Sequence, residues 1–269
     1  MIIIGEKING SIPSVAKAIA EKNEDLIKKL AVQQAAAGAD FIDVCASVED
    51  SAEVGTMKWL IDLVQQVTDV PVSVDSPSIR VCTESMKFCS RPGLLNSVSM
   101  EGDKIAQAFP LIAGTEWQAA ALLNDDAGIP QTFEKRLEVF AEIMAEAKQY
   151  GVRPEQLHID PLVEMLCTSD NGVIMIMKVM KEIKVQYPDI HITGAVSNTS
   201  FNLPARRMIN QSFIVLAMNA GMDSAIIDPL NTDMMGMIYA AEALLGKDEF
   251  CMNYIRAYRQ GVFGAKKTE

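Results

Sequence analysis

Seven short apolar runs in this chain each close on a carboxylate or a carboxamide, at Asp43, Asp75, Asn96, Asn124, Asp160, Asn198 and Asp228. The runs are rich in Val, Ile and Leu and mostly apolar on both faces, which is the pattern of a parallel strand covered on both sides. With the opening run they predict strands over 1–8, 40–46, 71–75, 93–97, 118–124, 156–161, 191–197 and 224–228. Between them the apolar period lengthens to that of a helix. Helices are expected over 24–37, 53–68, 78–89, 102–110, 132–150, 172–186, 204–220 and 233–246, with one more in the tail, 248–262. In 132–150 the apolar stripe runs through Phe133, Leu137, Phe140, Ala141 and Met144. Gly38 and Gly151 stand where a left-handed residue ends a helix.

Successive polar run ends are 21 to 38 residues apart. One strand-plus-helix unit takes about 30 residues, so each interval holds one unit. Eight strands alternating with helices predict an α/β fold, a (β/α)8 TIM barrel with an extra C-terminal helix. The 269 residues are close to the ~250 such a barrel usually takes. No linker or low-complexity stretch divides them, so residues 1–269 read as a single domain. A doubly wound open sheet would show a glycine-rich phosphate turn after its first strand. Here that strand runs into Glu6-Lys7-Ile8-Asn9-Gly10 instead. In a barrel the carboxyl ends of the strands form the mouth where chemistry is done. The seven run ends therefore predict a polar ring around one pocket.

Charge narrows the partners. The net charge of −11, with no basic stripe, argues against nucleic acid and against anionic membranes. No apolar run approaches the ~20 residues that span a bilayer. Met1-Ile2-Ile3-Ile4 lacks the basic and long apolar regions of a signal peptide, so a cytoplasmic setting is expected. The five cysteines form no CxxC pair and read as reduced thiols, mostly core filler.

The ring itself limits the chemistry. The two histidines, His158 and His191, fall inside strands; they make neither a Ser-His-Asp set nor a metal-ligand spacing, so no resident metal is expected. Paired carboxylates suit Mg²⁺ or acid–base work. Carboxamides both donate and accept, which suits a heterocycle with mixed donors and acceptors. A pterin is one: its 2-amino group and N3–H form a two-donor edge that one carboxylate can grip.

The segments GEKING (5–10), SVDS (73–76), LLNS (94–97), HIDPL (158–162) and SNTS (197–200) together resemble the methyltetrahydrofolate:corrinoid methyltransferases of the pterin-binding barrel superfamily. The resemblance implies transfer of a methyl group between N5 of tetrahydrofolate (as 5-methyltetrahydrofolate) and the cobalt of a corrinoid, a cobalamin carried on a partner protein. It implies a homodimer and a place in anaerobic one-carbon metabolism. By the same resemblance Asp75, Asn96 and Asp160 hold the pterin and Asn198 hydrogen-bonds N5 as the catalytic residue. Asn9 and Asp43 line the pterin site, and Glu6, Phe201, Asn202 and Arg206 stand at the mouth. Three departures are visible. Asp43-Val44-Cys45 stands where the family has Asp-x-Asn, Lys7 where it has Arg, and Phe201 where Gln is usual. Arg206 and Arg207 are candidates for the folate tail's carboxylates. The rival readings are a dihydropteroate synthase-like pterin enzyme, a metal-dependent aldolase and a non-catalytic pterin or corrinoid-protein binding subunit.

Overall fold

A computed structural model of the chain, describing residues 1–168 and 171–264, folds as a parallel eight-stranded barrel wrapped in helices. In chain order the elements are β1 (Ile2–Asn9), α1 (Pro13–Ala20), α2 (Glu24–Ala36), β2 (Phe41–Cys45), α3 (Asp50–Gln65), β3 (Val72–Asp75), α4 (Ile79–Met86), β4 (Leu94–Met100), α5 (Lys104–Ile112) and β5 (Gln118–Asp125). There follow α6 (Phe133–Tyr150), β6 (Leu157–Asp160), α7 (Gly172–Gln186), β7 (His191–Ile192), α8 (Arg206–Ala220), β8 (Ser224–Ile227), α9 (Thr232–Leu244) and α10 (Met252–Arg259). Neighbours in the sheet follow chain order from β1 to β7, and β8 pairs with β1. A bridge between Ala195 and Ile226 closes the ring.

Strand alternation sorts side chains into two shells. Ile42, Val44, Val72, Val74, Ala119, Ala121, Leu123, Leu157 and Ile159 point outward and pack under the helices. Ile4, Phe41 and Leu94 point inward and plug the barrel floor. Burying each such side chain is worth about 1.5–3 kcal/mol. His158 is fully buried in the same lumen, edge-on to Phe41 at 6.4 Å. Its Nε2–H donates to Gln118 Oε1 (2.6 Å) and its Nδ1 accepts from the Ser224 hydroxyl (2.9 Å). Burial lowers its pKa to about 3, so it is a neutral core residue.

The helix limits follow local chemistry. The side chains of Asn23, Thr132 and Asn231 cap α2, α6 and α9 by accepting from Leu26, Lys135 and Met234 N–H. Gly151 ends α6 at φ 79°.

Four expectations change. The strand expected at 191–197 shrinks to His191–Ile192, because the backbone curls into a 3-10 turn at Val196–Ser200. The helix expected over 248–262 is confined to α10, because Phe250 and Cys251 take φ 51° and 56° and Asp248 caps the N–H groups of Asn253 and Tyr254. Pro13 opens a short helix, α1, that the sequence pattern does not announce. On α6, Ala141 faces solvent, and the buried stripe instead includes Arg136. Cys45 and Cys82 are buried as core filler should be, whereas Cys167 and Cys251 are exposed. Among the described residues no helix is long and apolar enough to cross a membrane.

Candidate functional site

Two residues above the apolar floor, the inward positions turn polar. Asp43 on β2, Asp75 on β3, Asn96 on β4 and Asp160 on β6 all point into the lumen at the carboxyl end of the barrel. Register fixes their heights: Cys45 pairs with Asp75, Asp75 with Asn96, and Leu122 with Asp160. These four of the seven run ends thus stand on rigid strands, whereas Asn198 lies in a 3-10 turn and Asp228 follows β8 in an ion pair with Lys7. Asp43, Asn96 and Asp160 are buried, and Asp75 nearly so.

Asp43 lies deepest. Its Oδ1 accepts from the Ser73 hydroxyl at 2.5 Å and from Asn96 Nδ2 at 3.3 Å. Burial and the neighbouring Asp75 carboxylate push its pKa well above the usual range. Two adjoining carboxyl groups do not both ionise in such a site. Asp43 is the member that keeps its proton. Burial raises Asp75 to about 6, against the opposing pull of hydrogen bonds from Cys45 and Asp43. The consequence reaches Asn96. One of its two amide N–H donors goes to Asp43, which leaves the other N–H and the Oδ1 acceptor for a ligand. Cys45 takes the place beside Asp75, and its thiol bonds the Ser47 hydroxyl at 3.2 Å. Burial and Asp75 push that thiol's pKa up, which keeps it protonated.

Asp160 is fixed from behind. Its Oδ1 accepts from Leu162 N–H at 2.7 Å. Arg136, fully buried on α6, binds the Pro161 and Leu162 carbonyls and Glu164 (2.8 Å) and so pins the loop that follows β6. Burial raises Asp160 to about 6, against the opposing pull of the Leu162 and Val163 N–H groups and Arg136. Sequence reasoning passed over Arg136. Its signal was present: with Phe140, Ile143 and Ala147 it keeps the spacing of the buried helical face.

The remaining predicted residues separate. Asn198 sits in the 3-10 turn, half-buried, and its side chain makes no hydrogen bond among the described residues. Arg206 ties that turn down: its Nε donates to the Ser200 hydroxyl and a terminal N–H to the Ser197 carbonyl, both at 3.0 Å, and it stacks on Phe201 at 4.7 Å. Arg206 is thereby engaged in shaping the mouth. Arg207 pairs with Asp233 (3.0 Å) on the outer surface and takes no part in the site. Phe201 and Asn202 are exposed at the rim, Asn202 at φ 62° with its amide 3.9 Å from the Met165 sulfur. Asn9 turns to its own loop, accepting from Ser11 N–H at 2.8 Å. Glu6 does face inward. Burial and Asp228 raise it to about 7, while Lys7 and Arg206 pull the other way. Lys7 forms an ion pair with Asp228 at 2.9 Å. The sequence reading did not foresee that pair, which joins residues 221 positions apart.

The site therefore offers a carboxylate at Asp160, a second at Asp75 and an amide carbonyl at Asn96, with a neutral acid beneath them. Such a set of acceptors can pair with a flat donor-edged heterocycle. Among the described residues the site contains no activated nucleophile, the Cys45 thiol being kept protonated.

Comparison with known proteins places these features. Residues 8–228 match the family described as pterin binding enzyme. The chain is 46% identical over 266 residues, 98% of each chain, to the methylcorrinoid:tetrahydrofolate methyltransferase of Eubacterium limosum. It is 28% identical over 241 residues to the methionine synthase of Mycobacterium leprae, covering 84% of this chain and 20% of that protein. Among solved structures, dihydropteroate synthase from Xanthomonas albilineans in complex with 7,8-dihydropteroate superposes with a TM-score of 0.67 at 16% identity. The match covers 91% of this chain and 92% of that one, and it shows a shared barrel.

Proposed function

Because the chain belongs to the pterin binding enzyme family, we propose that it is a methyltransferase moving a methyl group between N5 of tetrahydrofolate and the cobalt of a corrinoid carried on a partner protein. The observation that carries this reading is the end-to-end likeness to a relative named for that reaction. The acceptor-lined mouth supports it. Asp75 and Asp160 supply charged acceptors for the pterin's N–H edge, and Asn96 a neutral one. Asn198, in the turn after β7, has an unspent amide for N5. Cobalt and N5 exchange the methyl directly, so the enzyme needs no nucleophile of its own, in keeping with the site. Its contribution is then position and electrostatics. Arg206 and Arg207 are engaged by the Asn198 turn and by Asp233, which weighs against a pyrophosphate-releasing synthase.

The test mixes the protein with 5-methyltetrahydrofolate and cob(I)alamin, and separately tetrahydrofolate with methylcobalamin, and follows the corrinoid spectrum. Methyl transfer in either sense above the uncatalysed rate is expected. Equal rates with and without protein would reject the reading. EDTA is expected to leave the rate unchanged, because the acidic ring is assigned to the pterin. Loss of activity restored by Mg²⁺ or Zn²⁺ would favour an aldolase-like site instead.

The same reading has residues 1–269 working as one domain in an anaerobic cytoplasm, where a cobalt(I) partner survives, and as a homodimer. An exposed apolar strip on α7 and α8, including Ile174, Met208 and Leu216 at 57%, 69% and 56% exposure, supports pairing. Light scattering at micromolar concentration is expected to give twice the chain mass of 29.4 kDa. A value at the chain mass would count against the dimer.

A further inference from the structure

Methyl transfer at N5 moves a proton as well as a methyl group. When 5-methyltetrahydrofolate reacts with cobalt(I), the N5–C bond breaks and a C–Co bond forms. Cobalt supplies the electron pair and becomes cobalt(III), and the pair left on N5 takes up one proton. In the opposite sense, N5 forms the C–N bond, the Co–C pair stays on cobalt, and the N5 proton leaves. Asn198 can orient that proton but, as an amide, cannot store it.

Beside the Asn198 turn lies a cavity of about 50 Å³, lined by Glu6, Ser197, Asn210, Asp228 and Asn231. A single water needs roughly 10–15 Å³ of such space and two to four polar partners. The walls provide them, and Asn210 Oδ1 is buried with no partner among the described residues. Charged groups approach Glu6 from four elements: Lys7 on its own strand, Asp228 after β8, Arg206 on α8 and Asp43 on β2. Lys7 pairs with Asp228 at 2.9 Å. Glu6 is the carboxyl of the cavity that makes no ion pair among the described residues. Burial and Asp228 set it near 7, where taking up and releasing a proton cost similar amounts.

We infer that Glu6 relays the N5 proton between the Ser197-Asn198 turn and solvent through water held in this cavity. It acts through that water as a positioning and proton-carrying residue, without touching the folate. The inference rests on the methyltransferase reading and gives its site a proton path.

The experiment is single-turnover demethylation of 5-methyltetrahydrofolate by cob(I)alamin between about pH 5.5 and 8.5. The wild-type rate is expected to fall as pH rises through about 7, as Glu6 loses its proton. Glu6→Gln is expected to be about 10- to 100-fold slower at pH 7 and to lose that inflection, with folate affinity held within about twofold. Glu6→Asp is expected to keep the inflection and part of the rate. Asn210→Leu, which fills the cavity and leaves Glu6 in place, is expected to flatten the profile in the same way. A Glu6→Gln enzyme that keeps the wild-type inflection would overturn the relay, as would a parallel loss of rate and affinity. If the wild-type protein fails to demethylate folate at every pH, it is the methyltransferase reading that fails.

Discussion

Replacing Asn198 by alanine is expected to slow methyl transfer by about 10- to 1,000-fold, the range seen on removing one preorganised donor. Folate affinity should barely change. Both expectations follow from where the residue sits. Its side chain supports no other group among the described residues, while Arg206 holds the turn through Ser197 and Ser200, so alanine leaves the backbone in place. N5 is a poor leaving group until it gains positive character, and that change arises on the way to the transition state. An interaction used only there lowers kcat and kcat/KM together. Single-turnover decay of cobalt(I) absorbance with saturating 5-methyltetrahydrofolate measures it. Wild-type rates in the variant would remove Asn198 from the chemistry and leave the pterin pocket standing.

Asp160→Asn is expected to show the reverse balance. Asparagine keeps the shape and an oxygen for Leu162 N–H but surrenders the charge that strengthens the grip on the pterin edge. Losing one charge-assisted hydrogen bond costs roughly 1.5–3 kcal/mol, read mainly in KM and in calorimetric affinity. Asp75→Asn should behave alike. The pH dependence carries the same sign. The gripping form is the carboxylate, and burial places Asp160 near 6, so affinity should fall as pH drops below about 6. In Asp160→Asn that part of the fall should vanish. Wild-type affinity in both variants would take these carboxylates out of the site.

The strands and their polar ends were legible because each signal is local. A strand covered on both faces must be a short apolar run. The lumen position two residues beyond its last apolar inward residue must open on the mouth. Asp75, Asn96 and Asp160 each close such a run, and their place at the mouth follows from that. What stayed hidden depends on partners distant in sequence. Arg136 reads as a surface arginine until the Pro161 carbonyl, 25 residues on, is brought over it. The proton state of Asp43 depends on Asp75 lying one strand away. The 3-10 turn at Asn198 could not be told from the end of a strand, since Thr193, Gly194 and Ala195 suit either and Arg206 decides between them from the next helix.

That turn has a further consequence for how the barrel breathes. It lies on the seam where a two-residue strand, β7, meets β8 by one bridge, while β1 and β8 share four registered pairs. Amide hydrogens from Thr193 to Ser200 should therefore exchange with deuterated solvent sooner than those of β1 to β5. A folate bound at Asp160, on the strand paired with β7, would brace the seam, and the gain in protection should be concentrated there.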